Sequence, residues 1–550
     1  RGRNSIMERL TESNKLKDQR KMIKIMTQHS FASRLKSLAL VFGIALAFAS
    51  CANEEIAQNP NGKDSDASLT TFSTGDPTTR TSMESNGTFF WEAGDKIYVK
   101  DDNGTWNASS NSPTGKTAYF KFKVPGTYTA HMSYEVYYPG KNGNQNQVTI
   151  AANQSQAEPN STAHFGASGD CGMATATRIA SERNFNFTLD HKAAYLLFLP
   201  RTSNTVLQGC YLTKVEVNSD NDITSTYTLN PTTGELTGTG TGKQIIVSTG
   251  GTGTYANGFP LTNNATSAAT NGAYAVIKPG VHIFKIRYWV KDVATGIEGT
   301  ITKTLPSATY DQNKYYNITA NLDVRDYDGD HYYMWDAREQ FWKGHEWNLG
   351  GSQPTLSQGV MGSSISNDYA RNNSDPRYYN DIYAGYGISC SAIYSCKDLP
   401  NVNEMTWYAA KGEPRWDGDE LWSTMGHLYK GGMWFKKKSK ISGYNSNTAV
   451  DGRDWRTTSG NQTWSVSQTL PSTADAGNYF YLPALGNYNS SQLYYLYNVG
   501  TGGNYWSSSA YPFASGGAYY LGFFWGSVSG GVYVSRDNRS NGFRVEPSFE

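Results

Sequence analysis

What most limits the fold of this 550-residue chain is a short pattern that recurs over most of its length. Apolar and polar residues alternate for a few positions, and a cluster of Gly, Asn, Ser or Pro then ends the stretch. Ala118-Tyr-Phe-Lys-Phe-Lys-Val124, Ser133-Tyr-Glu-Val-Tyr-Tyr138, Asn184-Phe-Asn-Phe-Thr-Leu189, Ala194-Tyr-Leu-Leu-Phe-Leu199, Leu212-Thr-Lys-Val-Glu-Val217 and Ile283-Phe-Lys-Ile-Arg-Tyr-Trp-Val290 are of this kind. Period-two alternation puts successive side chains on opposite faces of a strand, and frequent turn formers keep the strands short. Phe89-Phe-Trp91-Glu-Ala-Gly-Asp95-Lys-Ile-Tyr-Val-Lys100 reads as strand, Gly-Asp turn, strand. The spacing predicts a mainly β protein built from sandwiches. The chain is too long for one core, which predicts two or three domains. A net charge of +1 with 17% charged residues leaves no broad field to recruit nucleic acid, so none is expected as a partner.

The N-terminal segment reads as a leader. Lys21, Lys24, Arg34 and Lys36 precede the apolar run Leu38 to Ala49, which is well short of the roughly 18 residues that span a bilayer. Phe48-Ala-Ser-Cys51 resembles a lipobox, so residues 1–51 are expected to be a lipoprotein signal peptide with Cys51 as the lipidated residue. The segment before Met22 reads as an over-extended start, with Met7, Met22 and Met26 as initiators. Asn53-Glu54-Glu55 resembles an export tag to the outer face of the outer membrane, where the lipid would anchor the chain. Residues 52–75 lack apolar periodicity and read as a flexible tether. In an oxidising periplasm Cys390 and Cys396 are the expected disulfide, and Cys171 with Cys210 a second candidate pair. No metal is expected, because no further close ligands accompany them.

Thr79-Arg80-Thr81, Trp91-Glu-Ala-Gly-Asp95, Phe185 to Phe187 before Asp190-His191-Lys-Ala-Ala194, and Lys314-Tyr-Tyr-Asn-Ile-Thr-Ala-Asn-Leu322 together resemble the fimbrillin family of lipoprotein pilins. The resemblance covers residues 76–323 and implies two β-sandwich subdomains that assemble with other pilin subunits by strand exchange. It also implies proteolysis after an arginine near the N-terminus. Arg80 is the nearest candidate, with the start of a first strand as the other reading of Thr79-Arg80-Thr81.

Asp323-Val-Arg-Asp326-Tyr-Asp328-Gly-Asp330 follows, and residues 324–331 read as an acidic linker. A calcium loop would need Gly at the sixth position, where His331 or Tyr333 stands instead. Tyr333 to Trp342 and Asn403 to Ala410 both show helical spacing. In Ala518-Tyr-Tyr-Leu-Gly-Phe-Phe-Trp525, Tyr519, Leu521 and Phe523 share one face and Tyr520, Gly522 and Phe524 the other. Val532 and Val534 likewise oppose Tyr533 and Ser535. The aliphatic face is the expected core. The other face would present Tyr520, Phe524 and Tyr533, with Asp537, Asn538 and Ser540 on the loop beyond and Tyr511, Phe513 and Trp525 extending it from the strand ends. Such a mix of aromatic and small polar groups suits recognition, although strand aromatics also commonly pack on a neighbour.

Phe480-Tyr-Leu-Pro-Ala-Leu-Gly486, Tyr505-Trp506-Ser-Ser508, the alternating strand pair and Arg539-Ser-Asn541-Gly542-Phe543-Arg544-Val545 resemble the C-type-lectin-fold modules of bacterial surface proteins, some of them diversified by retroelements. Residues 332–550 would then be an α+β ligand-binding domain. The resemblance implies that Trp506, Leu521, Phe523, Val532, Val534, Gly542 and Val545 are scaffold. It implies likewise that Tyr520, Gly522, Phe524, Tyr533, Ser535, Asp537, Asn538 and Ser540 are variable-type positions, which would face an unknown protein or glycan. Calcium-mediated sugar binding is not expected, since the chain offers only Glu413-Pro-Arg415 and Gln353-Pro-Thr355. No His-Glu-x-x-His, Gly-x-Ser-x-Gly or phosphate loop occurs, so no catalytic residue and no cofactor is expected. The expected function is a cell-surface fimbrial tip adhesin. The alternatives are a structural pilus subunit or anchor, or a glycan-binding lipoprotein.

Overall fold

The computed structural model describes residues 28–30, 69–74, 82–83, 89–179, 183–238, 240–327, 331–344, 368–370, 372, 374–377, 390–489, 496–526, 530–546 and 549. Strands dominate, at 47% against 7% helix, as the alternation predicts. The chain divides into two compact units, one of Arg1–Trp289 with Leu305–Leu322 and one of Val290–Thr304 with Asp323–Glu550.

In the first unit, one sheet runs in the order Trp106–Ala108, Tyr98–Lys100, Ser133–Tyr138, Gly172–Arg178, Asn184–Phe187, Leu69–Thr74, Lys121–Pro125. The tether expected over 52–75 is therefore corrected at its end. Leu69–Thr74 lies inside the sheet, parallel to Asn184–Phe187 and antiparallel to Lys121–Pro125. The segment looks polar because threonines carry much of it. Thr70 and Thr74 are nevertheless buried, and Phe120 N–H donates to Thr74 Oγ1 at 3.0 Å. Phe72 is fully buried, stacked on Phe185 with ring centroids 5.0 Å apart.

The Trp91 to Asp95 motif has a local cause. Trp91 fills the core against Phe122, Tyr138 and Phe187, and Gly94 turns the chain at φ +83°. Buried Asp95 then accepts Glu92 N–H at 2.7 Å and the Tyr138 hydroxyl at 2.9 Å. A buried carboxylate holding two donors is a turn clamp.

A second sandwich places Asn153–Gln156, Gln244–Thr249, Tyr211–Ser219 and those parts of Gly280–Lys291 and Glu298–Tyr310 that belong to this unit in one sheet. Gln28–Ser30, Lys314–Asn321, Ala194–Arg201 and Ala273–Ile277 form the other, and Phe198 meets Tyr288 between them at 6.2 Å. One side of this sandwich is closed by two glutamines. Gln154 accepts Val276 N–H at 2.9 Å and donates to Val276 C=O at 2.8 Å. Gln156 accepts Tyr274 N–H at 2.7 Å and donates to Gly272 C=O at 2.8 Å. Each amide stands in for the strand that would otherwise pair with Ala273–Ile277. His191 of the Asp190-His191 motif is likewise internal, because buried Asp170 meets both His191 Nδ1 and the Tyr195 hydroxyl, while Asp190 is exposed.

In the second unit, a sheet runs Tyr332–Tyr333, Phe543–Arg544, Gly502–Ala510, Gly517–Trp525, Gly530–Asn538, Gln462–Ser465. The helix Val402–Lys411 opens with a capping box between Asn401 and Glu404. It sets Val402, Met405, Tyr408 and Ala409 in one core with Tyr519, Leu521, Phe523, Val532 and Val534.

Four expectations here are corrected. Tyr333 to Trp342 is not a helix: after the strand Tyr332–Tyr333 the chain turns, with Asp336 at φ +55°. The Asp336 carboxylate accepts the N–H groups of Ile393, Tyr394 and Cys396, which commits the segment to that turn. Its bulky groups serve two clusters, Trp335 in one and Phe341 with Trp342 in another, instead of one helix face.

The linker expected over 324–331 is packed as far as it is described. Val324 and Tyr327 are buried, Ser423 Oγ donates to the Asp326 carboxylate at 2.9 Å, and Arg325 pairs with Glu546 at 2.8 Å. Residues 328–330 lie outside the described residues.

The Cys390–Cys396 disulfide is not formed. Cys396 is a buried free thiol whose sulfur accepts Asp336 N–H at 3.2 Å, and burial pushes its pKa up. Cys171 is also a buried free thiol, so it does not bond Cys210.

Candidate ligand-binding surface

The strand Gly517–Trp525 carries most of the aromatic residues singled out in the sequence, and its two faces differ. Tyr519, Leu521 and Phe523 point into the core and are at most 1% exposed. On the other face, Ala518 and Tyr520 lie under a second layer. There they join Trp335, Ala392, Cys396, Leu399, Trp506, Phe543 and Val545. Tyr520 touches Trp506, Tyr533 and Phe543 and is 8% exposed, so its expected role as an exposed binding aromatic is corrected. Burial and the neighbouring Tyr533 and Asp537 raise its phenol far above the usual value.

The cover stops short of the strand's far end. Gly522 is buried beneath the Tyr533 ring, whereas Phe524 is 41% exposed. Tyr533 and Ser535 are half-buried on the same face of the next strand. Asp537 is half-buried and its carboxylate accepts Asn538 N–H at 2.7 Å. Burial raises its pKa. Asn538 is exposed and Ser540 half-buried.

Three predicted residues do not belong to this surface. Tyr511 packs beside the core on Tyr519 at 5.4 Å, with the Arg536 guanidinium 4.8 Å from its ring. Phe513 is 36% exposed but sits against Tyr511 at 6.1 Å. Trp525 has the parity of Leu521 and Phe523 and stacks on Trp416 at 6.0 Å, 13° from parallel. Strand alternation sends Trp525 away from Phe524, whereas Tyr511 and Phe513 lie in the connection between Gly502–Ala510 and Gly517–Trp525.

Sequence reasoning missed several residues beside Phe524 and Tyr533. The register sets Gly502 and Gly531 on either side of Phe524, and Asn504 on the strand beyond Gly522. The edge strand Gln462–Ser465 adds Thr463 opposite Tyr533 and Ser465 opposite Gly531. The Gly502, Asn504, Trp506 alternation was a usable signal for the first group. Gln462–Ser465 is too polar to carry one. Cys51 and Arg80 lie outside the described residues.

No family profile matches the chain and no curated protein matches its sequence. Solved structures do. A candidate cell adhesion protein of Bacteroides uniformis is 16% identical over 47% of this chain and 94% of its own, with a TM-score of 0.25. The fimbrial anchor protein of Porphyromonas gingivalis is 12% identical over 43% of this chain and 82% of its own, with a TM-score of 0.21. A fimbrial protein of Bacteroides ovatus is 12% identical over 86% of this chain and 98% of its own, with a TM-score of 0.21.

Proposed function

We propose that the chain is a non-enzymatic fimbrial adhesin of the cell surface, exported as a lipoprotein through Cys51. Its first unit assembles with other pilin subunits by strand addition. Its second unit is a C-type-lectin-fold module that holds a ligand on the outer face of its sheet. The observation that carries the reading is Phe524, 41% exposed on a strand whose inward residues are fully packed. An open aromatic beside half-buried Tyr533, with small polar groups around them, is the kind of side chain that supplies contact area to a ligand.

Strand addition is supported by the second sandwich of the first unit. Its glutamine-sealed side cannot take another strand. On the other side, among the described residues, Gln28–Ser30 is the strand paired with Lys314–Tyr316, and a cleaved leader would take that segment, which precedes Cys51, with it. A bare edge is a template for a partner strand. A second unit appended to every subunit would crowd a polymer, which favours a tip position. If the module is diversified, Phe524, Tyr533, Ser535 and Asn538 tolerate change, whereas Tyr520 and Gly522 serve packing.

The test is adhesion of cells displaying the wild type or a Phe524→Ala, Tyr533→Ala double variant. Loss of adhesion with surface display intact is expected. Equal adhesion by the two would sink the reading.

A further inference from the structure

Strand register fixes which side chains stand beside one another on the outer face of the second unit's sheet. One row reads Gly502, Phe524, Gly531, Ser465 and the next Asn504, Gly522, Tyr533, Thr463. The glycines under the two rings decide how those rings lie. A Cβ at Gly522 would stand 2.4 Å from Tyr533 Cε2 and 2.6 Å from Cζ, so the ring lies across that glycine. The Tyr533 hydroxyl reaches Asn504 Oδ1, 3.3 Å away on the strand beyond. Phe524 leans the same way, with Cδ2 3.4 Å from where a Gly502 Cβ would be. The Tyr533 ring thus lies over Gly522, with Tyr520 at its edge, and Phe524 touches the Gly502 position. The two rings stand on neighbouring strands in rows separated by about 6.6–6.8 Å along the strands, so they lie diagonally beside one another on the same face.

The rim of the rings is polar, and the one charged group that the strand Gly530–Asn538 places on the face of Tyr533 is the Asp537 carboxylate, which an anionic ligand would meet with repulsion. Thr463 and Ser465 are exposed and Asn504 is half-buried, which supplies hydroxyl and amide groups at the level of the rings. We propose that Phe524 and Tyr533 form the floor of a subsite for a neutral pyranose ring of a surface glycan. This rests on the reading of the outer face as the ligand surface. A pyranose has an apolar face of C–H groups that lies on an aromatic ring and a belt of hydroxyls in its plane for the rim to meet. A sialylated or sulfated sugar would bring a charge that this rim does not compensate.

The full chain is applied to immobilised neutral, sialylated and sulfated oligosaccharides and to host cells with and without periodate oxidation. Phe524→Ala and the Phe524→Ala, Tyr533→Ala double variant run alongside, their folding checked by circular dichroism. Retention on neutral glycans is expected, weakened at least about ten-fold by Phe524→Ala, with cell binding lost after periodate. Retention only on charged glycans, or on no glycan, overturns the neutral-sugar assignment. So does cell binding that survives periodate yet is lost in Phe524→Ala, and in that case the outer face stands as a ligand surface for another class. Cell binding unchanged in the double variant overturns both readings.

Discussion

The two faces of the Gly517–Trp525 strand share one backbone and nearly one composition, yet they do different work. Leu521 and Phe523 face a helix and a neighbouring strand that leave them 0% and 1% exposed. Gly522 and Phe524, one residue away from each, face outward, with Tyr533 reclining on the glycine and Phe524 open. Aromatic content alone therefore says little about binding. What separates a core residue from a surface for ligand is whether another segment covers it.

The comparison can be broken at three levels, and the largest effect should come from the inner face. Phe523→Ala should cost about 3–5 kcal/mol, as expected for a large buried side chain, whereas Phe524→Ala should change stability by no more than about 0.5 kcal/mol. Chemical denaturation of the two variants measures this, and equal losses would abolish the distinction between the faces. Gly522→Ala should have an intermediate effect, because the new methyl meets the Tyr533 ring. It should cost about 1–3 kcal/mol as an overpacking change and lift Tyr533 off the sheet, which tyrosine fluorescence or a crystal structure of the variant would report. Unaltered stability and an unmoved ring would show that the glycine is not what lets Tyr533 lie flat.

The smallest effect should come from Asp537, whose pKa burial raises above the usual 3.8. A carboxyl with a raised folded pKa contributes stability below pH 3.8 that is lost as pH rises through the folded value. Asp537→Asn should therefore raise the thermal midpoint slightly at neutral pH and leave it unchanged near pH 3. A lowered midpoint at neutral pH would mean that the charged carboxylate is needed there.

Much of the fold was legible because alternation is local. The assignment of Tyr519, Leu521 and Phe523 to one face and of Tyr520, Gly522 and Phe524 to the other follows from period two, as does that of Val532 and Val534 against Tyr533. The first set and the two valines are buried, Phe524 is exposed and Tyr533 half-buried, whereas Tyr520 and Gly522 are covered. The errors have a common source. Leu69–Thr74 looked like tether because Thr70, Thr71, Ser73 and Thr74 fill all its buried positions but that of Phe72. Arg325 and Asp326 looked solvated because their partners, Glu546 and Ser423, lie far along the chain. Tyr520 looked exposed because its cover comes from Trp335, Ala392 and Phe543, segments on both sides of it and distant in sequence.

The sequence by itself determined that the chain is strand-built and which residues of each strand share a face, since backbone geometry repeats every two residues regardless of context. Only the tertiary structure decided which faces are covered, which rings rest on glycine, and where along the Gly517–Trp525 strand the second layer ends. Those outcomes depend on register between strands and on segments more than a hundred residues away, such as Trp335 over the sheet that holds Tyr520, and no local pattern encodes them.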